Sequence, residues 1–169
     1  MKTATFLSTI MPLGSLATPF YLFKPVLAEE RMAATQDGCV FPAQYTISNL
    51  IGTSNDTNKP TMSAFTFDFG DVETKTTAKC TFNDKSVNVA PNGGVPRYAC
   101  ENPNIEFIYD IDATKLWLIE RLCPGSDGKP QWEVSGSFIM PLNCVLNCHC
   151  QTEAAEYNVT YNSLNPIRN

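Results

Sequence analysis

One histidine, four well-spaced acids and seven cysteines are the side chains through which this chain could do chemistry. Any Ser-His-Asp or Cys-His arrangement must use His149, the single histidine. It stands between Cys148 and Cys150, and no Gly-x-Ser-x-Gly elbow presents a serine. A ribonuclease mechanism needing two histidines is excluded by count. A glycosidase-like pair needs two carboxylates facing one cleft. Glu106, Asp110, Glu120 and Glu133 are the candidates, but most fall at polar positions of alternating stretches, where acids ordinarily face solvent. Asn92-Gly93-Gly94 reads as a turn, not a phosphate loop. No catalytic residue, cofactor or metal is assigned, and an enzyme is disfavoured.

The cysteines read better as staples than as nucleophiles. They are Cys39, Cys80, Cys100, Cys123, Cys144, Cys148 and Cys150, an odd set, so at least one is free or paired between chains. Cys80 and Cys100 each end a strand-like stretch, with Asn83-Asp84 and Pro91-Asn92-Gly93-Gly94 as turn formers between them. Two strands joined this way bring the pair together, and closing a loop of about 21 residues stabilises by roughly 3 kcal/mol. Cys39–Cys123 is expected as a second pair. The last three can form one bridge among themselves, Cys144 with either Cys150 or Cys148. A zinc site in Cys144-x3-Cys148-His149-Cys150 has suitable ligand types, but the histidine sits between two cysteines rather than in a separate pair.

The elements that must hold these residues are strands. Tyr45 and Ile47 face one way, Thr46 and Ser48 the other. Phe65, Phe67 and Phe69 share a face, as do Ile105, Phe107, Tyr109 and Ile111. Trp132, Val134, Gly136, Phe138 and Met140 alternate with Gln131, Glu133, Ser135 and Ser137, and Ala155, Tyr157, Val159 and Tyr161 alternate near the end. Lys115 to Leu122 is apolar on both faces at its centre, which reads as a central strand. Turn clusters separate these runs, and no window is convincingly helical. The expectation is an all-β domain, a disulfide-stapled antiparallel β-barrel or sandwich of about 8–11 strands, over residues 39–161. Pro141 to Cys150 reads as a disulfide-knotted loop or a helical turn, and residues 162–169 as a frayed tail.

Residues 1–28 read as an address. Lys2 precedes an apolar run, and Val26-Leu27-Ala28 fits a signal-peptidase site, with Ser15-Leu16-Ala17 as a second candidate. Pro12, Pro19 and Lys24 argue against a membrane span, and no other stretch approaches the ~20 apolar residues needed. Residues 29–38 are a polar leader. The 169-residue chain has 12 Lys+Arg and 17 Asp+Glu. Two of those cations and none of the acids lie in residues 1–28, leaving ten against seventeen after cleavage. An acidic chain has no general attraction for phosphate backbones, so nucleic acid is not an expected partner. Hydrophobic residues at 43% against 17% charged exclude a disordered polyelectrolyte. Asn55-Asp56-Thr57 and Asn158-Val159-Thr160 are glycosylation sequons.

Cys39, Tyr45-Thr46-Ile47, Phe65 to Phe69, Cys80, Tyr98-Ala99-Cys100, Ile105 to Tyr109, Lys115 to Ile119, Cys144 and Tyr157 to Thr160 follow one another in a rhythm of cysteines and strands. Over about residues 39–161 this resembles the Alternaria major-allergen family of secreted fungal β-barrel proteins. The resemblance implies a fungal, disulfide-bonded barrel that acts by binding, as allergens and elicitors of that family do. It also implies a homodimer bridged through Cys39. The long Cys80–Cys100 segment, Tyr98 in place of a commoner tryptophan, and the Cys144–Cys148–Cys150 cluster depart from the pattern.

The functional expectation is a secreted, effector-like or elicitor-like protein that binds a host or extracellular protein. Loops 52–60, 83–94 and 124–130 would be its contact surfaces. Two alternatives stand beside it. One is a small hydrolase using the four acids. The other is a carrier of a small apolar ligand in a pocket lined by Trp117, Phe65 and Tyr98.

Overall fold

The computed structural model describes residues 39–54, 61–90, 94–145 and 149–167. The expected signal segment and leader, Asn55, Cys148 and parts of the expected contact loops 52–60 and 83–94 lie outside the described residues. Among the described residues eleven strands form two antiparallel sheets packed as a sandwich. They are β1 (Gln44–Thr53), β2 (Ala64–Asp71), β3 (Thr76–Phe82), β4 (Tyr98–Ala99), β5 (Ile105–Asp110) and β6 (Lys115–Pro124), then β7 (Pro130–Ile139), β8 (Leu142–Val145), β9 (His149–Thr152), β10 (Glu156–Thr160) and β11 (Ser163–Pro166). One sheet runs β3-β2-β1-β9-β8, and the other β11-β7-β6-β5-β4.

β1 serves two partners on one edge. Gln44 to Ser48 pair with β10, and Ile51 to Thr53 pair with β9. The change of partner follows a bulge between Ser48 and Ile51, where Asn49 adopts φ 52°. Asparagine tolerates that left-handed conformation better than most residues. Its side chain donates to Asp68 Oδ2 at 2.8 Å, which fixes the bend. The bulge shifts the alternation, so Tyr45, Ile47 and Leu50 are all buried.

The core lies between the sheets, and the alternating residues supply it. Phe65, Phe67, Phe69, Ile105, Phe107, Leu116, Leu118, Val134 and Phe138 belong to one buried cluster. Rings of Phe65, Phe82, Tyr98, Phe107 and Tyr109 stack, tilt or meet edge-on at 4.9–5.9 Å between centroids. Such pairs add about 0.5–1.5 kcal/mol each beyond area burial. Both flanks are tied. On one, Cys80–Cys100 joins β3 to the end of β4, and Glu101 N donates to Lys79 O at 2.9 Å. On the other, the chain crosses from β10 into β11, and Asn162 N donates to Ser135 O at 2.9 Å.

Three expectations are corrected. Pro141 to Cys150 contains strands, a β8–β9 pairing with Cys144 directly opposite Cys150. The expected tail contains a strand, because Ser163–Pro166 pair with β7. Leu164 is buried inward there, and the Ser163 hydroxyl hydrogen-bonds Ser135 Oγ. Pro166 is admissible because an edge strand has a side without ladder bonds. Ile111 does not continue β5. Asp110 Oδ1 accepts from Asp112 N and Ala113 N, each at 3.0 Å, and turns the chain, leaving Ile111 exposed.

Candidate functional site

Period-2 alternation sends every second side chain of β1, β2, β3, β8 and β9 outward, and register decides which of them meet. Thr81 pairs with Thr66, Thr66 with Ile51, Ile51 with Gln151, and Gln151 with Asn143. These five residues form one continuous row across five strands. Thr53 and His149 pair in the next outward row. The row borders a cavity of about 570 Å³ that Gly52, Ala64, Phe65, Phe82, Asn83 and Cys150 also line. Its volume falls within the range of small-molecule pockets. Ile51, 57% exposed, is the apolar centre of the row.

Two local features shape this cavity. Gly52 lacks a side chain where a Cβ would stand 2.5 Å from Ala64 O and 2.8 Å from Phe65 Cβ, so β1 and the start of β2 approach closely. The Cys144–Cys150 disulfide, Cα atoms 4.1 Å apart, clamps the β8–β9 pair that carries Asn143, His149 and Gln151. Hydroxyls, primary amides and an imidazole line the cavity, and its described lining contains no carboxylate, ammonium or guanidinium. Such a surface can donate and accept hydrogen bonds without demanding a charged partner.

The four candidate acids lie elsewhere and do not share one cleft. Glu106 on β5 and Glu133 on β7 face outward from the second sheet, where Arg97 and Arg121 bind both. Arg97 Nη1 stands 2.9 Å from Glu133 Oε1 and 3.4 Å from Glu106 Oε2. Arg121 Nη2 stands 2.9 Å from Glu106 Oε1. Burial lifts the Glu106 carboxyl above its ordinary range, and Arg121 and Arg97 oppose that rise. Asp110 is occupied in its turn.

Glu120 points the other way, into the sandwich, and is 1% exposed. Its Oε2 accepts from Tyr161 Oη at 2.7 Å and its Oε1 from Thr74 Oγ1 at 2.9 Å. Burial raises its carboxyl to about 7, against the two hydroxyl hydrogen bonds and with the help of Asp71. Burial likewise raises the phenols of Tyr45 and Tyr161. Asp71 and the inner face of this site carried no signal in the sequence beyond isolated polar letters.

The apolar-pocket trio is not brought together. Phe65 lines the cavity, whereas Tyr98 packs against Phe82 and Phe107. Trp117 pairs with Ile108 on the outward face of the other sheet, with Lys115 Nζ 4.6 Å from its ring centre. The reason is register, since an odd-numbered residue on β6 faces away from Leu116 and Leu118 in the core.

Among the described residues three disulfides form, Cys39–Cys123, Cys80–Cys100 and Cys144–Cys150. Of the two partners open to Cys144, the fold takes Cys150, so neither sulfur has a free thiolate for zinc. Cys39 is bonded within its own chain, which uses the sulfur that a Cys39-linked homodimer would need. Asn158 is exposed on β10, opposite Thr46 on β1. Three disulfides in a small domain are consistent with an extracellular location. Among the described residues no helix is long and apolar enough to cross a membrane. The chain matches no family model, no curated protein and no solved structure.

Proposed function

We propose that this chain is a secreted, non-catalytic binding protein of the fungal effector or elicitor kind, and that it meets a host or other extracellular protein through the outward row of Thr81, Thr66, Ile51, Gln151 and Asn143. The observation that carries this reading is the row itself, an uncharged, hydrogen-bonding strip with an exposed isoleucine at its centre, bordering a cavity on a stapled sheet. An exposed apolar anchor rimmed by polar groups is what a protein partner can bury with gain. The rigid scaffold lowers the entropy lost on association. Against a hydrolase stands the use of Glu106 and Glu133 in ion pairs and of Asp110 in a turn. The signal segment at residues 1–28 and the cysteine-and-strand rhythm of residues 39–161 support secretion and kinship with the Alternaria major-allergen family.

The test compares mature wild type with Ile51→Arg, and with Ile139→Arg as a control on the other sheet, where Ile139 is 66% exposed. Each is immobilised and exposed to extracellular plant fluid. Capture of a defined protein by wild type and by Ile139→Arg, but not by Ile51→Arg, supports the reading. Equal capture by all three, or none by any, sinks it. Phe65 and Phe82 in the cavity lining favour a second reading, a small apolar ligand. A rise in Tm with small aromatic compounds, lost on Thr66→Trp, would select it.

A further inference from the structure

The inside of the sandwich holds a polar group that the binding row does not use. Asp71 ends β2, is 3% exposed, and accepts through Oδ1 from Glu73 N at 2.8 Å and Thr74 N at 3.0 Å. Its Oδ2 is buried with no hydrogen-bond donor among the described residues. Glu120 of β6 comes from the opposite sheet, and one residue touches both carboxyls: Thr74 N donates to Asp71 Oδ1 at 3.0 Å and Thr74 Oγ1 to Glu120 Oε1 at 2.9 Å, which sets the two acids side by side. Two carboxylates are both acceptors, so this contact is satisfied only when one proton lies between them. An unsatisfied buried carboxylate oxygen is costly, whereas a carboxyl O–H donated to a carboxylate makes a short, strong bond.

We propose that Asp71 and Glu120 share one proton, and that this acid-set clamp holds the β2–β3 turn of one sheet to β6 of the other. The surroundings fit. Thr74, in the same turn, donates to Glu120, and Tyr161 closes the other side from the β10–β11 link. Tyr45 of β1 packs on Tyr161 at 4.7 Å between ring centres. Glu73, also in the turn, is occupied by Ala43 N at 3.1 Å. The nearest cation on β6, Arg121, faces the other way toward Glu106 and Glu133. Lys75, the cation of the turn itself, is exposed to solvent. Beside the pair lies a cleft of about 330 Å³ that Glu120, Thr74, Cys39 and Cys123 help to line. When the shared proton leaves, two like charges face each other, and the cleft is the route by which water reaches them.

The sign follows from linkage. Glu120 holds its proton to a higher pH in the folded chain than in the unfolded one, so the folded state binds more protons between about 4.5 and 7. Stability is greatest below that window and falls as pH rises through it. The pair predicts a drop in the folded-to-unfolded ratio of about two orders of magnitude between pH 4.5 and 8. Urea unfolding of the mature protein at these two pH values measures it. All comparisons use a His149→Gln background, which leaves the chain without histidine. Glu106 also rises on burial, so the signal is the difference between that background and the same chain with Glu120→Gln. Glu120→Gln is expected to remove most of the pH dependence. A second measurement needs no variant: the side-chain carbon resonances of ¹³C-labelled glutamate in the folded protein should show a carboxyl titrating near neutrality. Parallel profiles with and without Glu120→Gln, or titration of every glutamate complete below pH 6, overturn the proposal. If Glu120→Gln does not fold, the carbon titration alone decides.

Discussion

Replacing Gly136 by alanine probes how closely the two sheets meet along one flank. Gly136 lies in the middle of β7, opposite Leu118, and faces inward. A Cβ there would stand 2.5 Å from the carbonyl oxygen of Thr160 and 2.8 Å from Tyr45 Cε1. On an unobstructed strand the change would stabilise by about 0.5–1 kcal/mol, because alanine has fewer unfolded conformations to lose. Overpacking a core costs about 1–3 kcal/mol. The cost should approach the upper part of that range here, since the first obstacle is backbone at the end of β10. The second obstacle has little room either: Tyr45 is 1% exposed and lies between Phe69 at 5.7 Å and Tyr161 at 4.7 Å. Subtracting the entropic gain leaves a net loss of about 1–2 kcal/mol. Urea unfolding should show a lower midpoint with an unchanged slope, and Tm should fall by roughly 3–5 °C per kcal/mol. Gly70→Ala is the comparison, since its Cβ would meet only the rotatable Thr46 Oγ1, at 2.8 Å, and should cost less than half as much. A Gly136→Ala protein as stable as wild type would refute the close approach of β10 to β7, and with it the closure of that flank.

Arg97→Met removes a guanidinium shared by Glu106 and Glu133 and should destabilise by about 3 kcal/mol, because a buried carboxylate loses a partner. Adding Glu106→Gln should restore part of that loss in a double-mutant cycle, and strict additivity would show the charges to be uncoupled. The joint replacement of Cys80 and Cys100 by alanine opens a loop with a sequence separation of 20 and should cost about 3 kcal/mol in chemical denaturation. A loss under about 1 kcal/mol would mean that the reduced chain keeps the loop closed without the bond. Asn158 is exposed and in a sequon, so secretion from a eukaryotic host should give a glycan at this position that an amidase removes. A mass for Asn158→Gln that differs from wild type by one methylene alone would show the site to be empty.

Much of the fold was legible because burial imposes a period. Phe65, Phe67 and Phe69 could share a face only on a strand, and a strand rich in apolar residues on both sides, as at Leu116 to Ile119, had to be central. Cys80–Cys100 was legible because turn formers separate two strand ends. The bulge at Asn49 was not, since one extra residue leaves no compositional mark. Nor was β11, where a four-residue edge strand with a proline offers too short a pattern. The outward row from Thr81 to Asn143 drew on polar letters that any solvated face would show.

The sequence by itself determined the class of structure, the inward and outward faces of most strands, and the chemistry that the cysteines could do. These depend on nearest-neighbour geometry, which is local and repeats every two residues. Only the tertiary structure decided which outward residues stand side by side, why Glu106 meets Arg97 and Arg121, and why Glu120 meets Asp71 from the opposite sheet. Those meetings join residues far apart in the chain, and they depend on strand order and register. A slip of one residue would send every one of them to the other face.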